Sequence, residues 1–174
     1  DLIDSSSFSL ASLSILKTIK VPIYFVSGNH EYYLKDSKSI LDRLGEYNIR
    51  WLNNERILHD ELTIVGVNDN YSDQEKKKTI YSLLRKDGFN LVLTHKPSLW
   101  PLVSSSSMLM LSGHTHAGQI WPFNYLVKLQ FPYIYGLYKK ENAYLYVSSG
   151  AGTWGPRMRL GSQNEIVIFD LGSS

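Results

Sequence analysis

The sequence predicts an α/β domain, and three observations carry that reading. Short apolar runs rich in β-branched and aromatic residues alternate with stretches of helical spacing. The runs end in glycine or polar residues, as in Ser27-Gly28-Asn29, Thr94-His95-Lys96 and Ser112-Gly113-His114. The chain has 174 residues, 43% of them hydrophobic and 20% charged, which suits one domain with a proper core and excludes wholesale disorder.

Taken in order, residues 7–20 place Leu10, Leu13, Leu16 and Ile19 at three-residue steps, as one face of a helix would. Residues 21–26 (VPIYFV) read as a buried strand with a tight turn after it. Residues 36–47 begin with a capping-type Asp36 and read as a helix. Residues 49–52, 56–59 and 62–68 read as a meander, with Asp60-Glu61 at one turn and His59 as an ordinary residue beside it. Residues 73–86 carry the run Gln74-Glu75-Lys76-Lys77-Lys78 and read as a solvated helix. Residues 90–94 and 107–111 are apolar strands. An irregular stretch runs from Thr115 to about Lys140, and residues 143–147 and 165–169 are the closing strands. No repeat or linker divides the chain, so residues 1–174 are expected to form a single domain.

Composition narrows the function. Eighteen basic and sixteen acidic residues leave a net charge of +2, too small for a nucleic-acid-binding stripe. With no cysteine, disulfides, thiolate zinc sites and cysteine nucleophiles are excluded. Four of the five histidines (His30, His95, His114 and His116) fall just after apolar runs. Ligands of α/β sheets gather outside the carboxyl ends of strands, so these positions can share one pocket. Asp1, Asp4 and Asn29 join them if Asp1 itself follows a strand. Imidazole, carboxylate and amide groups together suit Zn, Mn or Fe. The freedom of Gly113 is expected to let His114 and His116 face the same site.

The segments Asp1-Leu2-Ile3-Asp4, Gly28-Asn29-His30-Glu31, Thr94-His95-Lys96-Pro97 and Gly113-His114-Thr115-His116 resemble the ordered motifs of calcineurin-like metallophosphoesterases. The block from Gly113 to Ile120, with Gly152-Thr153-Trp154-Gly155-Pro156 and Arg159-Leu160-Gly161, is similar to the membrane-associated phosphodiesterase-like branch (GHTHGGQ type). The resemblance implies a two-layer β-sandwich flanked by helices, and two divalent metal ions (Mn, Fe or Zn) sharing a hydroxide that attacks phosphorus. It implies that Asp1 bridges the metals, that Asn29, His95 and His114 complete one site, and that His116 belongs to the other. His30 becomes the general acid, oriented by Asp4. Because the chain begins at Asp1, the family's Asp-x-His strand is expected to be absent and this 174-residue chain to be inactive. Ala117 stands where the pattern has a second glycine, with a small effect expected.

Residues 121–138 hold seven aromatic residues in eighteen positions. The simpler reading is a packed loop pinned by Pro122 and Pro132. The functional one is a lip that touches a lipid-like substrate or a bilayer, with Lys128, Lys139 and Lys140 as a basic edge. Arg157 and Arg159 read either as phosphate contacts or as surface residues of a turn. The leading function is phosphoester hydrolysis, as a phosphodiesterase or phosphatase, with a lipid-linked phosphate among the candidate substrates. Alternatives are a non-catalytic scaffold binding a protein partner, and a metal-dependent nuclease, which the charge disfavours. The resemblance further suggests membrane association through an N-terminal anchor outside this sequence.

Overall fold

The structure, a computed structural model, describes every residue except 4, 6, 60, 105, 106, 173 and 174. Two sheets organise it. The smaller pairs β1 (Ile23–Phe25) with β2 (Ile49–Trp51) in parallel. The larger has six strands in the order β3-β4-β5-β6-β8-β7, formed by β3 (Glu55–His59), β4 (Leu62–Val67), β5 (Phe89–Thr94), β6 (Met108–Ser112), β7 (Gly136–Lys140) and β8 (Ala143–Val147). Strands β4, β5, β6 and β8 run parallel, and antiparallel hairpin partners β3 and β7 close the two margins. This is the expected mixed α/β fold, a sheet flanked by helices.

Alternation along the strands sets the core. Val65, Val67, Val92, Met108, Met110, Ala143, Leu145 and Val147 share one face of the large sheet, where Ile80 of α2 (Asp73–Leu83) and Trp100 and Val103 of α3 (Trp100–Val103) cover them. A second core joins Ile3, Leu10, Leu13, Leu41, Leu44 and Ile49 around the small sheet. The two sheets meet where fully buried Leu52 packs against Gly66 of β4, so closely that a Cβ on Gly66 would overlap the Leu52 side chain.

Several expectations are corrected. The three-residue leucine step belongs to a 3-10 helix, Leu10–Thr18, in which residues i and i+3 eclipse. Strand β1 is half-buried rather than buried. Residues 36–47 split into α1 (Ser37–Asp42) and a 3-10 turn, and the Asp36 side chain makes no capping bond. The meander reduces to the β3–β4 hairpin, because Ile49 and Leu52 point into buried positions that draw β2 beside β1. In α2 the charged run is not wholly solvated, since Lys76 is buried against Asp69. The stretch after Thr115 contains α4 (Asn124–Gln130) and β7. Residues 165–169 form no strand: β6 and β7 already occupy both edges of β8, and Ile166 and Ile168 are 90% and 92% exposed.

Gly66→Ala should destabilise the chain by about 1–3 kcal/mol through overpacking against Leu52. Urea denaturation measures it, and an unchanged midpoint would show that the sheets do not meet there.

Candidate metal centre

Parallel strands deliver their carboxyl ends to one edge, and the polar residues sit just beyond them. His95 follows β5 and His114 lies two residues after β6, while Gly28-Asn29-His30 leave the strand end of β1. Their side chains converge. His95 Nε2 lies 2.9 Å from Asn29 Oδ1, 2.8 Å from His114 Nδ1 and 3.1 Å from Asp1 Oδ2. Ligand atoms of Asp1, His95 and His114 lie within 4.8 Å of one another. A neutral imidazole nitrogen carries at most one proton, so it can satisfy only one of these three neighbours. The remaining lone pairs face each other across a partly buried space. A divalent cation accepts such lone pairs, and an amide oxygen, a carboxylate and two imidazoles are suitable donors for one. The residues present therefore fit the cation that the motifs imply.

The surroundings keep the imidazoles in their neutral form. Burial, followed by positive charge nearby, lowers the pKa of His95 to about 3, against the pull of Asp69 and Glu31. Burial, then the neighbouring His95 and Lys96, lowers His114 to about 3. Burial, then Arg159, lowers His116 to about 4. At neutral pH all three imidazoles have lone pairs to offer.

Backbone geometry fixes these side chains. The buried Glu31 carboxylate accepts from Leu2 N–H (2.5 Å), Ile3 N–H (2.8 Å) and Gly28 N–H (2.6 Å). It thereby joins the Asp1 segment to the Asn29 turn, and His30 N–H adds a 3.0 Å bond to Asp1 Oδ1. Gly28 has to lack a side chain, since a Cβ there would overlap Asp1 Oδ1 and stand 2.7 Å from His95 Nδ1. The loop after β6 holds four non-glycine residues at positive φ: His114 (70°), His116 (50°), Ala117 (54°) and Gln119 (42°). Gly113 is not among the residues at positive φ, so the conformational cost expected at the glycine falls on the histidines themselves. Ala117 occupies a left-handed position, where glycine would be less strained.

A cleft of about 650 Å³ opens over the cluster, lined by Asp1, His30, His95, His114 and His116 and by the loop from Gly150 to Gly155. His116 thus shares the cleft without belonging to the tight group. His30 presents its ring beside Tyr33, with centroids 5.6 Å apart. Asp4, the expected partner of His30, lies outside the described residues. Arg159 is committed to the protein: it donates to the carbonyls of His116 (3.1 Å), Ser149 (2.6 Å) and Gly152 (2.5 Å). Gln119 donates to Trp154 O (2.7 Å) and accepts from Trp154 N–H (2.7 Å). These two side chains fasten one wall of the cleft to the His116 loop. Glu31 and Gln119 had no assigned role in the sequence. The spacing of Glu31 three residues after Gly28 is the one available hint, because it matches a side chain reaching back to a turn's N–H.

Fold and donor set suit a protein that could hold a divalent cation at the carboxyl edge of a mixed sheet. Residues 1–118 match the family of calcineurin-like phosphoesterases, and the chain belongs to it. It is similar to an uncharacterized metallophosphoesterase of Campylobacter jejuni, 40% identical over 157 residues, covering 85% of this chain and 41% of that protein. A Helicobacter pylori metallophosphoesterase is 37% identical over 182 residues, covering 98% of this chain and 49% of that protein. A bovine transmembrane protein with metallophosphoesterase domain is 34% identical over 208 residues, covering 98% and 44%. The chain spans less than half the length of these relatives. No solved structure matches. Among the described residues no helix is long and apolar enough to cross a membrane.

The lowered histidine values have a consequence for stability. The unfolded chain, with imidazoles near 6.5, takes up protons before the folded chain does. Their stabilisation is complete above about pH 6.5 and is lost as pH falls toward 3–4. Asp69 and Glu165, lowered from 3.8 and 4.5, add to the loss only at more acid pH. In EDTA-treated protein the urea midpoint should fall between about pH 6.5 and 5, and less steeply in His114→Ala. A flat profile would mean that the imidazoles are open to water.

Proposed function

We propose that the whole protein hydrolyses phosphoesters, with Asp1, Asn29, His95 and His114 holding one divalent cation and His116 contributing to a second. The supporting observation is the convergence of Asp1, Asn29 and His114 on His95 Nε2. A cation held there would stabilise negative charge on the phosphoryl oxygens as a Lewis acid. The remaining chemistry belongs to the chain's own groups. Asp1 Oδ1 accepts from His30 N–H, which fixes the start of the turn that carries the imidazole. His30, in the cleft and outside the ligand cluster, donates a proton to the leaving alkoxide. The Gly150–Gly155 loop also lines the cleft, and Arg159 binds its Gly150 and Gly152 carbonyls.

A scaffold without catalysis is the less supported reading, because it gives no reason to gather two neutral imidazoles against a carboxylate and an amide. In the whole protein, His114→Ala should lower bound manganese and abolish manganese-dependent hydrolysis of bis-nitrophenyl phosphate. Full metal content in that variant would sink the assignment. His30→Ala should leave metal content intact and slow substrates with poor leaving groups by about 10²–10⁴, but nitrophenyl esters less. Equal losses on both would remove His30 from the acid role.

The substrate reading extends to lipid-linked phosphates on one further observation. Trp121, Phe123, Tyr125, Leu126 and Leu129 are all exposed, and α4 buries no residue. Gly118 abuts Asn124, which holds the start of this helix against the His116 loop. Aromatic and aliphatic groups exposed together suit a bilayer interface. The basic edge is smaller than the sequence suggested. Lys139 and Lys140 pair with Tyr144 and Ala143 at the opening of β8, the end away from the cleft, leaving Lys128 on α4. Anionic vesicles should therefore bind the chain mainly through apolar contact. Changing Trp121 and Phe123 to serine should release it, and retention by the double variant would argue against a lip.

A further inference from the structure

Beneath the ligand cluster lies a second group of charges that the proposed chemistry does not use. Asp69, two residues past β4, has a fully buried carboxylate. Its Oδ1 is 2.7 Å from Nζ of Lys76, which is 2% exposed and reaches it from α2. Its Oδ2 is 2.6 Å from Nζ of Lys96, the residue directly after His95. Lys76 also lies 3.2 Å from Asp73. Removing such charges from water costs free energy, and apolar side chains of similar volume would often serve stability as well or better. Stability is therefore a poor reason for this arrangement, and its location suggests another.

The carboxylate is a fixed point. Asn68 N–H donates to Asn54 Oδ1 (3.1 Å), the Asn68 side-chain amide bonds Asn53 Oδ1, and Asn70 N–H returns to Asn68 Oδ1 (3.2 Å). Lys96 links this point to the end of β5. On its other side the same segment is tied to β6, because His95 O accepts from Gly113 N–H at 3.0 Å. His95 is thus held between two anchors, one of which leads to His114 and the other to Asp69.

We propose that Lys96, held by Asp69 and balanced by Lys76, is a positioning residue that sets the His95 ring so that Nε2 meets Asn29, His114 and Asp1. The proposal rests on the metal-binding reading for its consequence, but the ring position itself does not. Groups that orient a ligand imidazole commonly change metal affinity by about 10–100-fold when removed. Lys96 is partly exposed, and its loss leaves Asp69 paired with Lys76.

The experiment compares wild type, Lys96→Met and Lys96→Arg in the full chain, with Lys96→Gln replacing the methionine variant if that fails to fold. Manganese affinity is measured by calorimetry, the His95 ring nitrogens by NMR in EDTA-treated protein, and the melting midpoint in parallel. The uncharged variant should bind manganese about 10–100-fold more weakly and shift the His95 ring signals with little change in midpoint, and arginine should restore both. Unchanged ring signals and affinity would overturn the proposal. So would an affinity loss that follows a fall in midpoint and is not rescued by arginine. A wild type that binds no manganese, with ring signals that still respond to Lys96, would overturn the proposed function and leave the positioning role standing.

Discussion

Three acceptor groups crowd a single imidazole nitrogen, and in water they would drift apart. They stay together because groups outside the cluster hold each of them. Glu31 gathers Leu2, Ile3 and Gly28 through three N–H bonds, so Asp1 and Asn29 sit on one rigid junction. Gly113 N–H fixes the carbonyl of His95, and the strained turn that follows aims His114 back at the same point. The parallel strands bring these segments to one edge, but the hydrogen bonds set the final approach. Folding thus stores a cost, in neutral buried imidazoles and left-handed backbone, at the place where a bound cation would return it.

The cleft above the cluster has an unusual division of labour. Arg159 is the obvious phosphate ligand by residue type, yet its terminal nitrogens donate to the carbonyls of His116, Ser149 and Gly152, and its Nε is buried. After burial, the charge of Arg159 is the next cause of the lowered pKa of His116. Gln119 completes the wall through paired bonds with the backbone of Trp154. Two loops distant in sequence therefore behave as one surface, and Thr153 and Trp154 face the cleft from a fixed backbone.

Much of this was legible in the sequence wherever a residue's role follows from its neighbours in the chain. The apolar runs before His95 and His114 specified strands, and their ends specified a shared edge. The hydrophobic steps at Leu10, Leu13 and Leu16 revealed a helix but not its 3-10 winding, since a three-residue step fits both forms. Pairing across distance was not legible. Ile166 and Ile168 alternate like a strand, but whether an edge is free depends on β7, which was read as irregular. Lys76 sits in a run of charges that suits solvent, and only the placement of Asp69 explains its burial. Arg159 had two readings, and the carbonyls that decide between them come from two separate segments.

One further consequence lies at the margin of the large sheet. Strand β7 leaves an edge on which backbone groups lack a neighbouring strand within the sheet, and such edges invite other chains to add on. Lys139 and Lys140 occupy the far half of that edge, both exposed, with Lys139 lying over the ring of Tyr144. Charges that contribute little to the cleft there act as a guard. A second molecule approaching in register would set ammonium groups against each other, so that growth of the sheet into a fibril is resisted at the strand in which the aromatic segment ends.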